Sequence, residues 1–205
     1  MYRLNSKDFI NFKFNGNSGN KIKVNDFLKE RGLSSRLIRK SVKSGNIYLN
    51  SRVNRKNKFL KKGDLVSLRF EDEEPNGVVE HRDLDIIYED DDLVIVNKEP
   101  FMVTHTAKDD ADGTLLNYLL GYFEKEGLKR KVRFVNRLDR DTSGLVVAAK
   151  NSFAQDKISS DFKEDVEKKY LAVVEGILEE KEGLIDGPIA TSEDGIRREV
   201  NYVIG

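Results

Sequence analysis

The 205-residue chain has no cysteine, which excludes disulfides, thiolate metal sites and thiol catalysis. It has no apolar run approaching the roughly 18 residues of a membrane-spanning helix, so no membrane partner is expected. Its first residues, Met1-Tyr2-Arg3-Leu4-Asn5-Ser6-Lys7, lack the apolar stretch of a secretory signal. A cytoplasmic protein is therefore expected, monomeric by default. No internal repeat or low-complexity tract occurs. What is present is 38% hydrophobic and 35% charged residues, enough to bury a core beneath a heavily charged surface.

The formal net charge is zero because two opposite imbalances cancel. Residues 1–70 carry 18 Lys and Arg against 4 Asp and Glu, and residues 71–205 carry 18 against 32. Such asymmetry points to separate modules, the first suited to a polyanion. RNA and DNA are the usual polyanions, because each phosphate met by Lys or Arg releases counterions.

The basic part reads as a small α/β unit over residues 21–70. Asn25 can cap a short helix over Asp26–Arg31 that Gly32 ends. Ser34 can cap a second helix, Ser35–Ser44, with Gly45 past its end. In that helix Arg36, Arg39, Lys40 and Lys43 stand at i, i+3, i+4 and i+7 and share one face, while Ile38 and Val42 lie on another. Strands are expected at Ile47–Leu49 and Leu65–Phe70. Residues 71–84, with a Pro, a Gly and a run of acids, read as a linker.

From Asp85 the pattern changes. Strands are expected at Asp85–Tyr88, Leu93–Lys98, Arg133–Asn136, Leu145–Ala149, Tyr170–Glu175 and Val200–Ile204, with helices over Thr114–Phe123 and Asn151–Phe162. The whole is an α+β chain, with a mixed sheet and helices packed on it in the second part. Between the third and fourth of these strands lies a polar turn, Asn136-Arg137-Leu138-Asp139-Arg140-Asp141-Thr142-Ser143-Gly144. Two Arg and two Asp between apolar strands are costly unless paired. From the residues alone two readings stay open: a salt-bridged hairpin loop, or a functional loop held by rigid strands.

Resemblances to known families carry further. Residues 23–70, "KVNDFLKERGLSSRLIRKSVKSGNIYLNSRVNRKNKFLKKGDLVSLRF", resemble the S-four-type RNA-binding domain. That likeness implies phosphate contacts by Ser35, Arg36, Arg39, Lys40 and Lys43, with Asn46 near them. "NRLDRDTSG" resembles the HRLDxxTSG motif of ribosomal large-subunit pseudouridine synthases of the RluA/RluD type. "DLVIVNKEP" with His105 and "GTLLNYLL" (92–105 and 113–120) resemble that family's first block. "KKYLAVVEG" (168–176) resembles its tyrosine block, and the domain order also agrees.

The resemblance implies the pseudouridine synthase fold, a largely antiparallel mixed sheet with flanking helices over residues 85–205. It implies an RNA partner, most simply large-subunit ribosomal RNA, and no metal, nucleotide or redox cofactor. Asp139 would be the nucleophile, attacking either the ribose C1′ or the uracil ring. Arg137 would pair with Asp139 or fill the gap left by the extruded base. Tyr170 would stack on the flipped uracil, with Lys168 and Thr142 in supporting positions.

Departures from the family pattern matter as well. Asn136 replaces a His, and Glu99 and Phe101 stand where the first block has Pro and Gly. No stretch like the family's closing RTHQIR block occurs, so the catalytic domain is expected to be incomplete at its C-terminus. Two other readings follow: a catalytically dead relative that only binds structured RNA, and a nucleosidase or glycosidase using Asp139 with Asp141.

Overall fold

A computed structural model of the protein describes residues 6–16, 21–105, 112–192, 195 and 198–200. The chain forms two compact units, Met1–Val166 and Glu167–Gly205. It is an α+β protein in which every described strand pair is antiparallel.

The larger unit holds two sheets and two cores. Strands β1 (Phe9–Lys13), β2 (Ile47–Leu49), β3 (Arg52–Val53) and β4 (Leu65–Arg69) form the first sheet in the order β1-β4-β2-β3, beside helices α1 (Val24–Glu30) and α2 (Ser35–Ser44). Its core is Val24, Phe27, Leu28, Ile38, Ile47, Val66 and Leu68, none more than 2% exposed. Each such side chain contributes roughly 1.5–3 kcal/mol on burial. The expected α2 forms as read. The Ser34 hydroxyl accepts from the Leu37 N–H, and Gly45 closes the helix at φ +74°.

Two local expectations needed correction. Helix α1 begins at Val24 and Asn25 does not cap it; the Asn25 N–H instead donates to Asn57 Oδ1 at 2.9 Å. A residue 32 positions away thus meets a helix-start donor, which local sequence cannot announce. Strands β1 and β3 had not been foreseen either. The β2–β3 turn uses Asn50 and Ser51 at φ +49° and +66°, the left-handed pair that suits the twist of a two-residue hairpin.

The second sheet joins β5 (Ile86–Glu89), β6 (Leu93–Lys98), β7 (Arg133–Phe134) and β8 (Gly144–Ala149) in the order β5-β6-β8-β7. Helix α3 (Leu115–Lys125) lays Leu115, Leu119 and Phe123 on Val94, Val96, Val146 and Ala148. Thr114 and Asn117 cap α3 reciprocally. Helix α4 (Ser152–Glu164) follows β8.

Residues 71–84 form neither helix nor strand, yet they run as a fastened strap. The Asn76 amide exchanges two 3.0 Å hydrogen bonds with the Val132 backbone. The Glu73 N–H donates to the Lys129 carbonyl, and Asn117 Nδ2 to the Val78 carbonyl. Gly121 of α3 lies so close to the Glu80 carbonyl that a Cβ there would collide with it.

Two contacts weld the modules. Phe153 of α4 enters the first core, edge-on to Phe12 with ring centres 6.1 Å apart. Arg130, 4% exposed, donates to Asp8 Oδ1 at 2.9 Å and to the carbonyls of Phe70 and Glu71 at 3.2 and 2.7 Å.

In the second unit, β9 (Ile189–Thr191) pairs with β10 (Arg198–Val200). The strand expected over Tyr170–Glu175 is absent, and Leu171 and Val173 stand wholly exposed. An apolar, β-prone run becomes a strand only where a neighbour accepts its backbone hydrogen bonds. Among the described residues of this unit only β9 and β10 pair. Of the strand expected at Val200–Ile204, residues 201–204 lie outside the described residues.

Candidate active site

The polar turn read from the sequence is the β7–β8 connection. It opens at the end of the sheet where Lys98 of β6 faces Gly144 of β8. Its entry is a continuation of the ladder made by a side chain. The Val135 N–H donates to the Val147 carbonyl, then Asn136 Oδ1 accepts from the Val147 N–H at 2.8 Å and its Nδ2 donates to the Leu145 carbonyl at 3.0 Å. Asn136 therefore works as a splint along β8, a role available to an amide because it both donates and accepts.

Two further anchors hold the middle of the loop. The Thr104 hydroxyl donates to the Leu138 carbonyl at 2.6 Å, and the Leu138 side chain is buried against the second core. The ammonium of Lys98, 1% exposed, donates to the carbonyls of Glu99 and Met102 at 2.9 Å each and of Arg140 at 3.1 Å. One buried cation thus ties the 99–102 turn to the loop. Burial pushes the Lys98 pKa down, partly offset by the negative charges of Asp141 and Asp139.

The loop exit is a tight turn. The Thr142 N–H donates to the Asp139 carbonyl at 3.2 Å, and Gly144 takes φ +124°. Asp139 is consequently an exposed carboxylate between two residues, Leu138 and Arg140, whose carbonyls are pinned. The backbone of this side chain is fixed while its oxygens face solvent, the arrangement a positioned nucleophile needs.

The structure gathers some expected site residues and not others. Arg137 is exposed and makes no ion pair with Asp139; the ion pair in the loop is Arg140 with Asp141, at 2.9 Å. Arg137 instead lines a pocket of about 330 Å³ with Lys131, Arg133, His105, Asn76 and Gln155. Ser35, Arg36, Arg39, Lys40 and Lys43 are all exposed on α2. Asn46 is 8% exposed and lines a cleft of about 100 Å³ with Lys40, Arg69 and Arg130. Lys168 and Tyr170 are exposed in the second unit, Tyr170 at 69%.

Lys98, Thr104 and Asn136 had been given no role from sequence. A signal for the first was present: Val94, Val96 and Lys98 alternate, so the inward face of β6 ends in a cation. The same segment shows how the departure at residue 101 is accommodated. Phe101 adopts φ +65°, the left-handed conformation that a Gly would take without strain.

Residues 92–203 match the family model described as RNA pseudouridylate synthase. An uncharacterised RNA pseudouridine synthase of Bacillus subtilis, YjbO, is 33% identical over 84% of this chain and 62% of its own length. A second from the same organism, YhcT, is 38% identical over 65% of this chain and 45% of its own length. The ribosomal large subunit pseudouridine synthase D of Haemophilus influenzae is 36% identical over 62% of this chain and 40% of its own length. The chain spans roughly half the length of the curated relatives it matches. With the family model covering more than half of its residues, Asp139 and its loop included, the chain belongs to the RNA pseudouridylate synthase family.

Proposed function

We propose that the protein isomerises specific uridines of ribosomal or transfer RNA to pseudouridine, with Asp139 as nucleophile. The observation that carries this reading is the exposed Asp139 carboxylate on a backbone pinned on either side by Thr104 and Lys98. In the proposed reaction the Asp139 carboxylate bonds to the ribose C1′ as the N-glycosidic bond breaks, the trapped uracil turns, and its C5 bonds to C1′ as the bond to Asp139 breaks. The C5 proton then leaves, aided by Tyr170, while N1, no longer bonded to the ribose, gains one. The base must leave its stack for this, at a few kcal/mol; Arg137, exposed and unpaired with Asp139, is suited to occupy the vacated space.

The RNA would be gripped by a module of residues 1–70 and modified by a domain of residues 85–205. Arg36, Arg39, Lys40 and Lys43 lie exposed along α2 and offer one face to phosphates. Ser35 and Asn46 would support those contacts, as Lys168 and Thr142 would support the reacting site. Large-subunit ribosomal RNA is the proposed partner, in keeping with the name of the Haemophilus influenzae relative, ribosomal large subunit pseudouridine synthase D.

The test is a pseudouridine assay on unmodified ribosomal RNA. The chain is assayed alone and joined to the C-terminal part of the Bacillus subtilis relative YjbO. Activity that Asp139→Asn abolishes without weakening RNA binding is the expected result. Pseudouridine formation by the Asp139→Asn protein would overturn the assignment of the nucleophile. Release of free uracil would instead indicate a nucleosidase.

A further inference from the structure

Phe101 combines two costly features. It is a bulky residue in the left-handed backbone region, at φ +65°, where a side chain costs about 1–2 kcal/mol. It is also 75% exposed, so it recovers little by burial. Aromatic residues normally end up packed. Strain that persists in a bulky residue is held by its surroundings and concentrates at ligand sites.

The surroundings that hold it are the candidate active site. The carbonyls flanking Phe101 in sequence, those of Glu99 and Met102, both accept from Lys98 Nζ, and the same nitrogen donates to the carbonyl of Arg140 beside Asp139. The turn bearing Phe101 and the loop bearing Asp139 therefore converge on one buried ammonium. Arg140, whose carbonyl this ammonium holds, is itself exposed. An exposed aromatic ring stacks on an unpaired base while arginines nearby meet phosphates, which is how proteins hold single-stranded nucleic acid.

We propose that Phe101 is a base-stacking residue that holds the nucleotide flanking the target uridine. The proposal rests on the reading of this protein as a pseudouridine synthase. It gives the strained turn a purpose: a Gly would relax the backbone and remove the stacking surface. The ring packs on the neighbouring base while that base is splayed from its stack, and the choice of RNA loop is biased toward bases that stack well.

The experiment uses the full chain with Phe101→Gly, Phe101→Leu and Phe101→Tyr. Binding is measured in an Asp139→Asn background. The probe is a fluorescein-labelled hairpin RNA whose loop carries one uridine next to 2-aminopurine. Pseudouridine formation on unmodified ribosomal RNA is measured with Asp139 present. Tyr should preserve affinity and the 2-aminopurine signal. Leu and Gly should weaken binding on the order of 10- to 100-fold and raise KM with kcat little changed. Gly should do so while making the protein more resistant to urea, which separates lost contact from lost folding.

A Gly or Leu variant that binds as tightly as the parent, or failure of the parent to bind the hairpin, overturns the proposal. Because binding needs no turnover, the two readings fail separately. Phe101-dependent binding without pseudouridine would sink the enzymatic reading alone. Normal pseudouridine formation by the Gly variant, with unchanged KM, would sink this one alone.

Discussion

Replacing Lys98 by Met keeps the length and shape of the side chain and removes its charge and its donors. Three backbone carbonyls, of Glu99, Met102 and Arg140, then lose their partner. A hydrogen bond to a charged group contributes about 1.5–3 kcal/mol. Three would sum to several kcal/mol, but burying an ammonium costs several in return. The net loss expected for Lys98→Met is about 2–4 kcal/mol, set mainly by the carbonyls left without a donor. Urea unfolding at neutral pH measures it.

The pH dependence offers a sharper check. Burial lowers the Lys98 pKa, with Asp141 and Asp139 restoring part of it, so the folded value lies below the ordinary value of about 10.4. Between the two, the unfolded chain still holds a proton that the folded chain has released. Parent stability from this group therefore rises with pH across that window. The variant has no such group, so the difference between them should widen as pH rises toward 10. A gap that stays constant or narrows would refute the account of Lys98 as a buried cation. So would a stability change below about 0.5 kcal/mol, the range of surface substitutions. Activity is expected to fall about 100-fold, since a loop shift near 1 Å is enough to do that.

Two other outcomes follow from the packing and the charges. Gly121→Ala drives a Cβ into the Glu80 carbonyl; overpacking of this kind costs about 1–3 kcal/mol, read as a lowered urea midpoint with the strap 71–84 more open to protease. For Glu89 and Asp90 burial alone would raise the pKa, but Lys150 and Tyr122 at Glu89, and the Asp92 N–H and Tyr88 hydroxyl at Asp90, outweigh it and lower both. Their contribution is present above the ordinary carboxylate value near 4 and is lost as pH falls through the depressed folded values. Urea midpoints measured from pH 6 to pH 3 should fall less steeply in Glu89→Gln than in the parent; equal slopes would refute the role of that carboxylate.

The parts of the fold written in short-range pattern were legible in the sequence. Helix α2 announced both caps and both faces within twelve residues, and β6 and β8 stood out as apolar runs around the polar turn. The parts settled at a distance were not. Asn57 meets a donor at the start of α1, and Asn136 behaves as a backbone splint only because Leu145 and Val147 lie beside it. Asp139 stood out as a candidate because a motif surrounds it. The devices that fix it stood out less: Thr104 lies 34 residues from its partner Leu138, and Lys98 lies 42 from Arg140. The run Tyr170–Glu175 has the composition of a strand but not the neighbour that would make it one.

The Arg130 clasp turns the larger unit into a caliper. With Asp8, Phe70 and Glu71 on one side of the guanidinium and its own backbone on the other, parting the two cores means withdrawing a buried cation from its partners. That costs about 3–5 kcal/mol, so an opened form makes up fewer than about one molecule in a hundred. The spacing between α2 and the loop that carries Asp139 is therefore a property of the folded chain and is not set by a tether. An RNA that touches both, as proposed, loses no binding energy in bringing the two parts of the protein together. One with the wrong span cannot gain the second contact by bending the protein.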